Sequence, residues 1–145
     1  MFFWYKLLSY LFYPFSYFFL HFRRFKKKEH NLRYKEKLSE IKVERGSGYL
    51  VWFHVASVGE AMSILPLIDS LKEEKKINKI LITTITLSSS QILNKRFEGD
   101  EKVIHQFLPL DIPVFVSKFL NHWKPNLAIF IDSEIWPNLI TGIKQ

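Results

Sequence analysis

The pattern of apolar and polar positions changes character twice along the chain. From Phe2 to Phe22 nearly every position is apolar or aromatic, roughly 21 residues and enough for a helix to cross a hydrocarbon core of about 30 Å. Arg23, Arg24, Lys26, Lys27 and Lys28 follow at once. His30 to Glu44 reads as a polar helix or linker, broken by Arg45-Gly46-Ser47-Gly48. Beyond that break, short apolar runs alternate with stretches of helical period. Tyr49–Val55, Ile80–Ile85, Val103–Leu108 and Leu127–Ile131 are the expected strands. Ala61–Lys72 carries apolar residues at helical spacing, with Pro66 either kinking it or opening a second piece. Further helices are expected over Ser88–Phe97, capped by serines, over Pro113–His122, and from near Trp136-Pro137.

Strands and helices alternating at this spacing predict an α/β fold, a parallel sheet with helices on both faces. Two regions follow from the pattern: residues 1–45 as a hydrophobic anchor with a basic linker, and residues 46–145 as the globular body. In such sheets ligands bind beyond the carboxyl ends of the strands. That rule directs attention to the loops Ser57–Glu60, Thr84–Ser90, Pro109–Pro113 and Asp132–Asn138.

Charge sharpens the division. The net charge is +7, yet residues 1–45 hold 11 Lys and Arg against 4 acids while the rest hold 10 of each. Thirteen of the 24 aromatic residues fall in the first 25 positions. The basic excess therefore adjoins the aromatic leader, which points to a lipid surface and away from nucleic acid. Three readings of the leader stay open: a membrane-spanning or deeply inserted anchor, an interfacial amphipathic helix, and a water-soluble core helix. Lys6, Pro14, His21 and the many tyrosines weigh against a span. A cleaved signal peptide is disfavoured because the positive block follows the apolar stretch and no small-residue cleavage site is visible. Under the positive-inside rule the basic block and the body face the cytoplasm, with membrane contact expected through residues 2–28.

With no cysteine there is no thiolate zinc site and no cysteine nucleophile, and five scattered histidines are thin material for a metal centre. Neither G-x-G-x-x-G nor a Walker-type phosphate loop occurs. Glu60 stands at the start of an expected helix, where the macrodipole favours its ionised form, with Gly59 beside it. Two roles fit that position, a general base or simply a first-turn acid. Asp111, Asp132 and Glu134 likewise fit helix caps or first-turn acids.

Four segments taken together, His54-Val-Ala-Ser-Val-Gly-Glu60, Thr83-Thr-Ile-Thr86, Leu108-Pro-Leu-Asp111 and Asp132-Ser-Glu-Ile-Trp-Pro-Asn138, resemble in order and spacing the amino-terminal half of the 3-deoxy-D-manno-octulosonic acid (Kdo) transferases. The leader with its basic follow-on fits the same family, and the resemblance implies an inner-membrane location with the globular part facing the cytoplasm. That resemblance implies a Rossmann-like acceptor-binding domain of a GT-B glycosyltransferase. It implies transfer of Kdo from CMP-Kdo to lipid A precursor in lipopolysaccharide synthesis, with inversion and without metal or other cofactor. By matching position, Glu60 would be the general base; Ser57 and Gly59 would shape the acceptor loop, and Glu134 would be a second polar residue of the cleft.

Two positions depart from the family's pattern. Asp132 stands where Glu is usual, and Ser89 where a Gly follows the threonine-rich loop, so Ser89 is expected to restrict a loop needing positive φ. Gln145 falls within or just beyond the first turns of the helix after the fourth strand. On the resemblance, the rest of the acceptor domain and the whole donor domain with its CMP-Kdo site are then missing, and the chain is expected to be inactive alone. A separate carboxyl-terminal donor-domain chain is one expectation. A non-catalytic membrane-associated remnant that binds lipid or a partner chain is the other.

Overall fold

A computed structural model describes residues 2–131 and 135–143, of which Phe2 and Phe3 are placed by their backbone alone. The chain divides into two compact units, one of Met1–Lys42, Pro109–His122 and Ile135–Gln145, the other of Val43–Leu108 and Trp123–Glu134.

The second unit holds the sheet. Its four strands are β1 (Leu50–Val55), β2 (Lys79–Thr84), β3 (Val103–Phe107) and β4 (Leu127–Ile131). All pairings are parallel and the order is β3-β2-β1-β4. The expected α/β class and parallel sheet are therefore present. Alternate residues Val51, Phe53 and Val55 of β1, Ile80 and Ile82 of β2, and Val103 of β3 pack one face against Ala61, Ile64, Ile68, Leu93 and Phe97. Those last five belong to or flank α2 (Val58–Ser63), α3 (Leu65–Glu73) and α4 (Leu87–Arg96). Two-residue periodicity in the strands thus meets helical periodicity across the core. Pro66 lies in the first turn of α3, where its missing N–H costs nothing, so of the two expectations for this stretch the second is observed: Pro66 opens a second helix, and α2 and α3 share Ile64 as a cap. Gly48 opens the sheet at φ 91°, and a Cβ there would overlap the Asn78 amide that receives the Tyr49 N–H at 2.7 Å. The Arg-Gly-Ser-Gly break is thus a geometric requirement of entry into β1.

The first unit contains α1 (Phe2–Phe25), a 3-10 helix (Arg33–Leu38), all but the last residue of α5 (Pro113–Trp123) and α6 (Pro137–Ile143). Its small core gathers Leu20, Tyr34, Leu38, Ile112 and Phe115, with Tyr13 and Leu110 at the margin. The face of α1 turned inward is Ser9, Tyr13, Ser16 and Leu20, with Ser16 and Leu20 fully buried. The opposite stripe, Trp4, Leu8, Leu11, Phe15, Phe18, Phe22 and Phe25, is exposed throughout, from 48% at Phe22 to 86% at Phe25. Beneath its carboxyl end Glu29 is buried between Arg23 Nε and Lys37 Nζ, each at 2.7 Å. Burial holds the Lys37 ammonium below its usual range, and the neighbouring Glu29 carboxylate opposes this only in part.

The expectation of a membrane-spanning anchor is corrected. Among the described residues no helix is long and apolar enough to cross a membrane. With 24 residues α1 has the length, but Lys6, Ser9, Ser16, His21, Arg23, Arg24 and its tyrosines dilute the apolar content. The polar stretch after it is also more than a linker, because the 3-10 helix buries Tyr34, Lys37 and Leu38.

Candidate active site

In the second unit the strand order runs outward from β1 on one side to β2 and β3, and on the other to β4. The direction of winding therefore reverses between β1 and β4, and the crevice at their carboxyl ends is where open α/β sheets bind ligands. The loop leaving β1 carries Ala56, Ser57, Gly59 and Glu60. Ser57 has extended backbone at the N-cap of α2, and its Oγ accepts the Glu60 N–H at 3.2 Å. The Glu60 side chain reaches back. Its Oε2 accepts the Ala56 N–H at 2.7 Å and its Oε1 accepts the Ser57 hydroxyl at 2.5 Å.

This is a capping box whose carboxylate lands one residue before the cap. The first-turn role that the sequence leaves open is thus observed. It does not exhaust the carboxylate, which is half-buried and uses two of about four acceptor positions. Three of the sequence-predicted site residues, Ser57, Gly59 and Glu60, are brought together in this one turn. A Cβ at Gly59 would meet only Ser57 Oγ, at 3.9 Å, so neither packing nor a positive φ requires glycine there.

Beneath this loop lies a polar row to which the sequence pattern assigns no role. His54 pairs in register with Thr83 on one side and Phe130 on the other, and Thr83 pairs with Gln106. Thr83 Oγ1 accepts the indole N–H of Trp52 at 2.9 Å, and His54 Nδ1 lies 3.0 Å from the same oxygen. Gln106 Oε1 accepts the Trp123 indole N–H at 2.8 Å. His54 Nε2 and Gln106 Nε2 are buried without a hydrogen-bond partner among the described residues. Burial pushes the His54 imidazole down from 6.5 to about 4, against the opposing pull of the Thr83 backbone and the Glu60 charge. The ring is therefore neutral at physiological pH. A histidine inside the run Tyr-Leu-Val-Trp-Phe-His-Val is the signal that could have found it.

The threonine-rich segment needs correction. Thr86, not a serine, caps α4, accepting the Ser89 N–H at 3.2 Å. Ser89 sits inside the first turn of that helix, fully buried, with its hydroxyl 2.8 Å from Thr86 Oγ1. It is not among the residues of positive φ, so no loop is restricted by it.

In the first unit, Asp111 caps a helix, but not the one that follows it. Its Oδ1 accepts the Leu139 N–H at 2.9 Å and its Oδ2 the Asn138 N–H at 3.1 Å, both in the first turn of α6. Glu134, expected in the cleft, lies outside the described residues, as do Asp132 and Ser133. Among the described residues no group of three or more His, Asp or Glu side chains could hold a metal ion.

Residues 23–145 match the family described as 3-Deoxy-D-manno-octulosonic-acid transferase (kdotransferase). The chain is 38% identical over 136 residues to the probable mitochondrial 3-deoxy-D-manno-octulosonic acid transferase of Arabidopsis thaliana, covering 94% of this chain and 30% of that protein. It is 38% identical over 136 residues to the 3-deoxy-D-manno-octulosonic acid transferase of Rickettsia bellii, covering 94% and 32%. The enzyme of that name from Haemophilus influenzae is 35% identical over 113 residues, 74% of this chain and 26% of the relative. The chain thus spans less than a third of the length of each of these relatives.

Proposed function

Because the chain belongs to the Kdo transferase family, we propose that it forms the acceptor side of an enzyme moving Kdo from CMP-Kdo to a hydroxyl of lipid A precursor in lipopolysaccharide synthesis. The observation that carries this reading is the Glu60 carboxylate, held at the carboxyl end of β1 by Ala56 and Ser57 and still open to accept. In the proposed step the acceptor oxygen attacks the anomeric carbon and forms the new glycosidic bond from the opposite face. The bond from that carbon to the CMP phosphate oxygen breaks, CMP leaves, and Glu60 takes the hydroxyl proton. Ser57 keeps the carboxylate in place, and Gly59 leaves room for the acceptor to approach the turn. His54, neutral and buried beneath, fixes the row on which the turn rests.

The same reading assigns this chain to the acceptor-binding, Rossmann-like domain of a GT-B glycosyltransferase. The nucleotide sugar would be held by a carboxyl-terminal domain, in the same polypeptide or in a second one, and residues 1–145 alone would not transfer Kdo. Neither metal nor other cofactor would take part, so chelation with EDTA should leave transfer intact.

The exposed stripe of α1 supports an interfacial position on the cytoplasmic face of the inner membrane. Seven large apolar residues point away from the protein, and Lys26, Lys27 and Lys28 stand exposed at the end of the same helix. That combination binds a bilayer surface through buried apolar area and anionic headgroups without crossing it.

The test is to supply residues 1–145 together with the carboxyl-terminal domain of a relative and follow labelled Kdo onto lipid A precursor. Transfer that needs both parts supports the reading. No transfer by a mixture whose two parts are each folded, on acceptor presented in vesicles, overturns it and favours a lipid-binding or partner-binding remnant.

A further inference from the structure

Within the first unit, one carboxylate joins α1 to Asn138 at the start of α6. Asp111 is 8% exposed. Besides the two amides of α6, its Oδ2 accepts the Tyr5 hydroxyl at 2.9 Å. Its backbone carbonyl accepts Asn138 Nδ2 at 2.6 Å, and that same amide nitrogen donates to Ser9 Oγ at 3.1 Å. The first turn of α6 is thus tied twice to α1, through Tyr5 by way of Asp111 and through Ser9 by way of Asn138. Asn138 is the last residue of Ser-Glu-Ile-Trp-Pro-Asn, and Asp111 the last of Leu-Pro-Leu-Asp.

We propose that the Tyr5–Asp111 hydrogen bond is a positioning contact that transmits docking of α1 on an anionic lipid surface to the amino-terminal turn of α6. The inference rests on the interfacial placement of α1. Tyr5 adjoins Trp4, the first residue of the outward stripe, and is itself 39% exposed, and its hydrogen bond to Asp111 is partly buried. A lipid surface covering Trp4, Leu8 and Leu11 completes the removal of solvent from the exposed part of Tyr5. A charge-assisted hydrogen bond strengthens as the local dielectric falls. The carboxylate so held is the one that caps Asn138 and Leu139, whose amides have no intrahelical acceptor of their own. Docking therefore tightens the start of α6 without any movement of α1 relative to it.

The experiment is amide hydrogen exchange on the full chain, with and without vesicles of phosphatidylcholine and phosphatidylglycerol, resolved at Asn138 and Leu139. Co-sedimentation is measured in parallel. In the wild type, vesicles are expected to slow exchange of the Leu139 amide about tenfold. Tyr5→Phe keeps the ring and loses the hydroxyl; it should sediment with vesicles as the wild type does, yet slow by less than about twofold. Asp111→Asn should lose the response as well. Equal slowing in wild type and Tyr5→Phe overturns the proposal, as does wild-type binding with no slowing. Failure of the wild type to sediment overturns the interfacial placement itself, and this inference with it.

Discussion

Ser57 and Glu60 hold each other twice, the serine oxygen accepting the glutamate amide at 3.2 Å and its hydroxyl donating to Oε1 at 2.5 Å. The same carboxylate thus closes a structural motif and, in the proposed reaction, takes the acceptor proton. Ser57→Ala removes the cap but leaves the Ala56 N–H on Oε2. The expected cost is about 1 kcal/mol in urea unfolding, with transfer by the completed enzyme reduced by about tenfold or less. A loss of transfer as large as that of Glu60→Gln would mean that the hydroxyl does more than position.

Gly59 separates fold from function more cleanly. A methyl group added at this position would find nothing but Ser57 Oγ within 4 Å, and the residue is helical, so Gly59→Ala should be neutral or stabilise the protein by up to about 1 kcal/mol. Transfer should nevertheless fall, through a higher KM for the lipid acceptor. An unchanged KM would show that the acceptor does not approach this turn.

His54 predicts a pH dependence. Its folded-state value, about 4, lies below the ordinary 6.5, so between those limits the unfolded chain binds more protons than the folded one. Its contribution to stability is complete above pH 6.5 and is lost as pH falls towards about 4, by about 3 kcal/mol in all. Urea midpoints measured at about pH 7.5 and about pH 4.5 should therefore differ by less in His54→Gln than in the wild type. Identical differences would place the acid sensitivity elsewhere.

The stripe on α1 makes a third kind of claim. Phe15 and Phe18 are 65% and 75% exposed, so Phe15→Asp with Phe18→Asp should leave the melting temperature nearly unchanged. Binding to anionic vesicles should drop at least about tenfold, from lost apolar burial and added negative charge. Retained binding would remove the stripe from the lipid contact.

The strands are legible in the sequence because each is a short apolar run bounded by turn residues; the pattern gives Leu127–Ile131 to the residue and the other three to within one at each end. The Glu60 turn is legible for a similar reason, since a capping box is written in four consecutive residues. What the pattern hides depends on contacts distant in sequence. Asp111 stands just before α5, yet it caps α6, 27 residues further on. The orientation of α1 is hidden as well. Large apolar or aromatic residues stand on every side of α1, so periodicity alone does not mark its inward face. Here Ser9 and Ser16 turn inward, Ser16 donating its hydroxyl to the Tyr13 carbonyl at 2.6 Å, and the bulky aromatics turn out. Ser89 reads as a loop residue only because Thr86, three residues earlier, starts the helix sooner than the serines suggest.

The central claim is that Glu60 takes the acceptor proton, and Glu60→Gln tests it most directly. The glutamine oxygen can still accept the Ala56 N–H, so unfolding should change by no more than about 1 kcal/mol. In the enzyme completed by its carboxyl-terminal domain, kcat for Kdo transfer to lipid A precursor should fall by at least about a hundredfold with little change in KM. A folded Glu60→Gln enzyme that transfers Kdo within a few-fold of the wild-type rate would contradict the account.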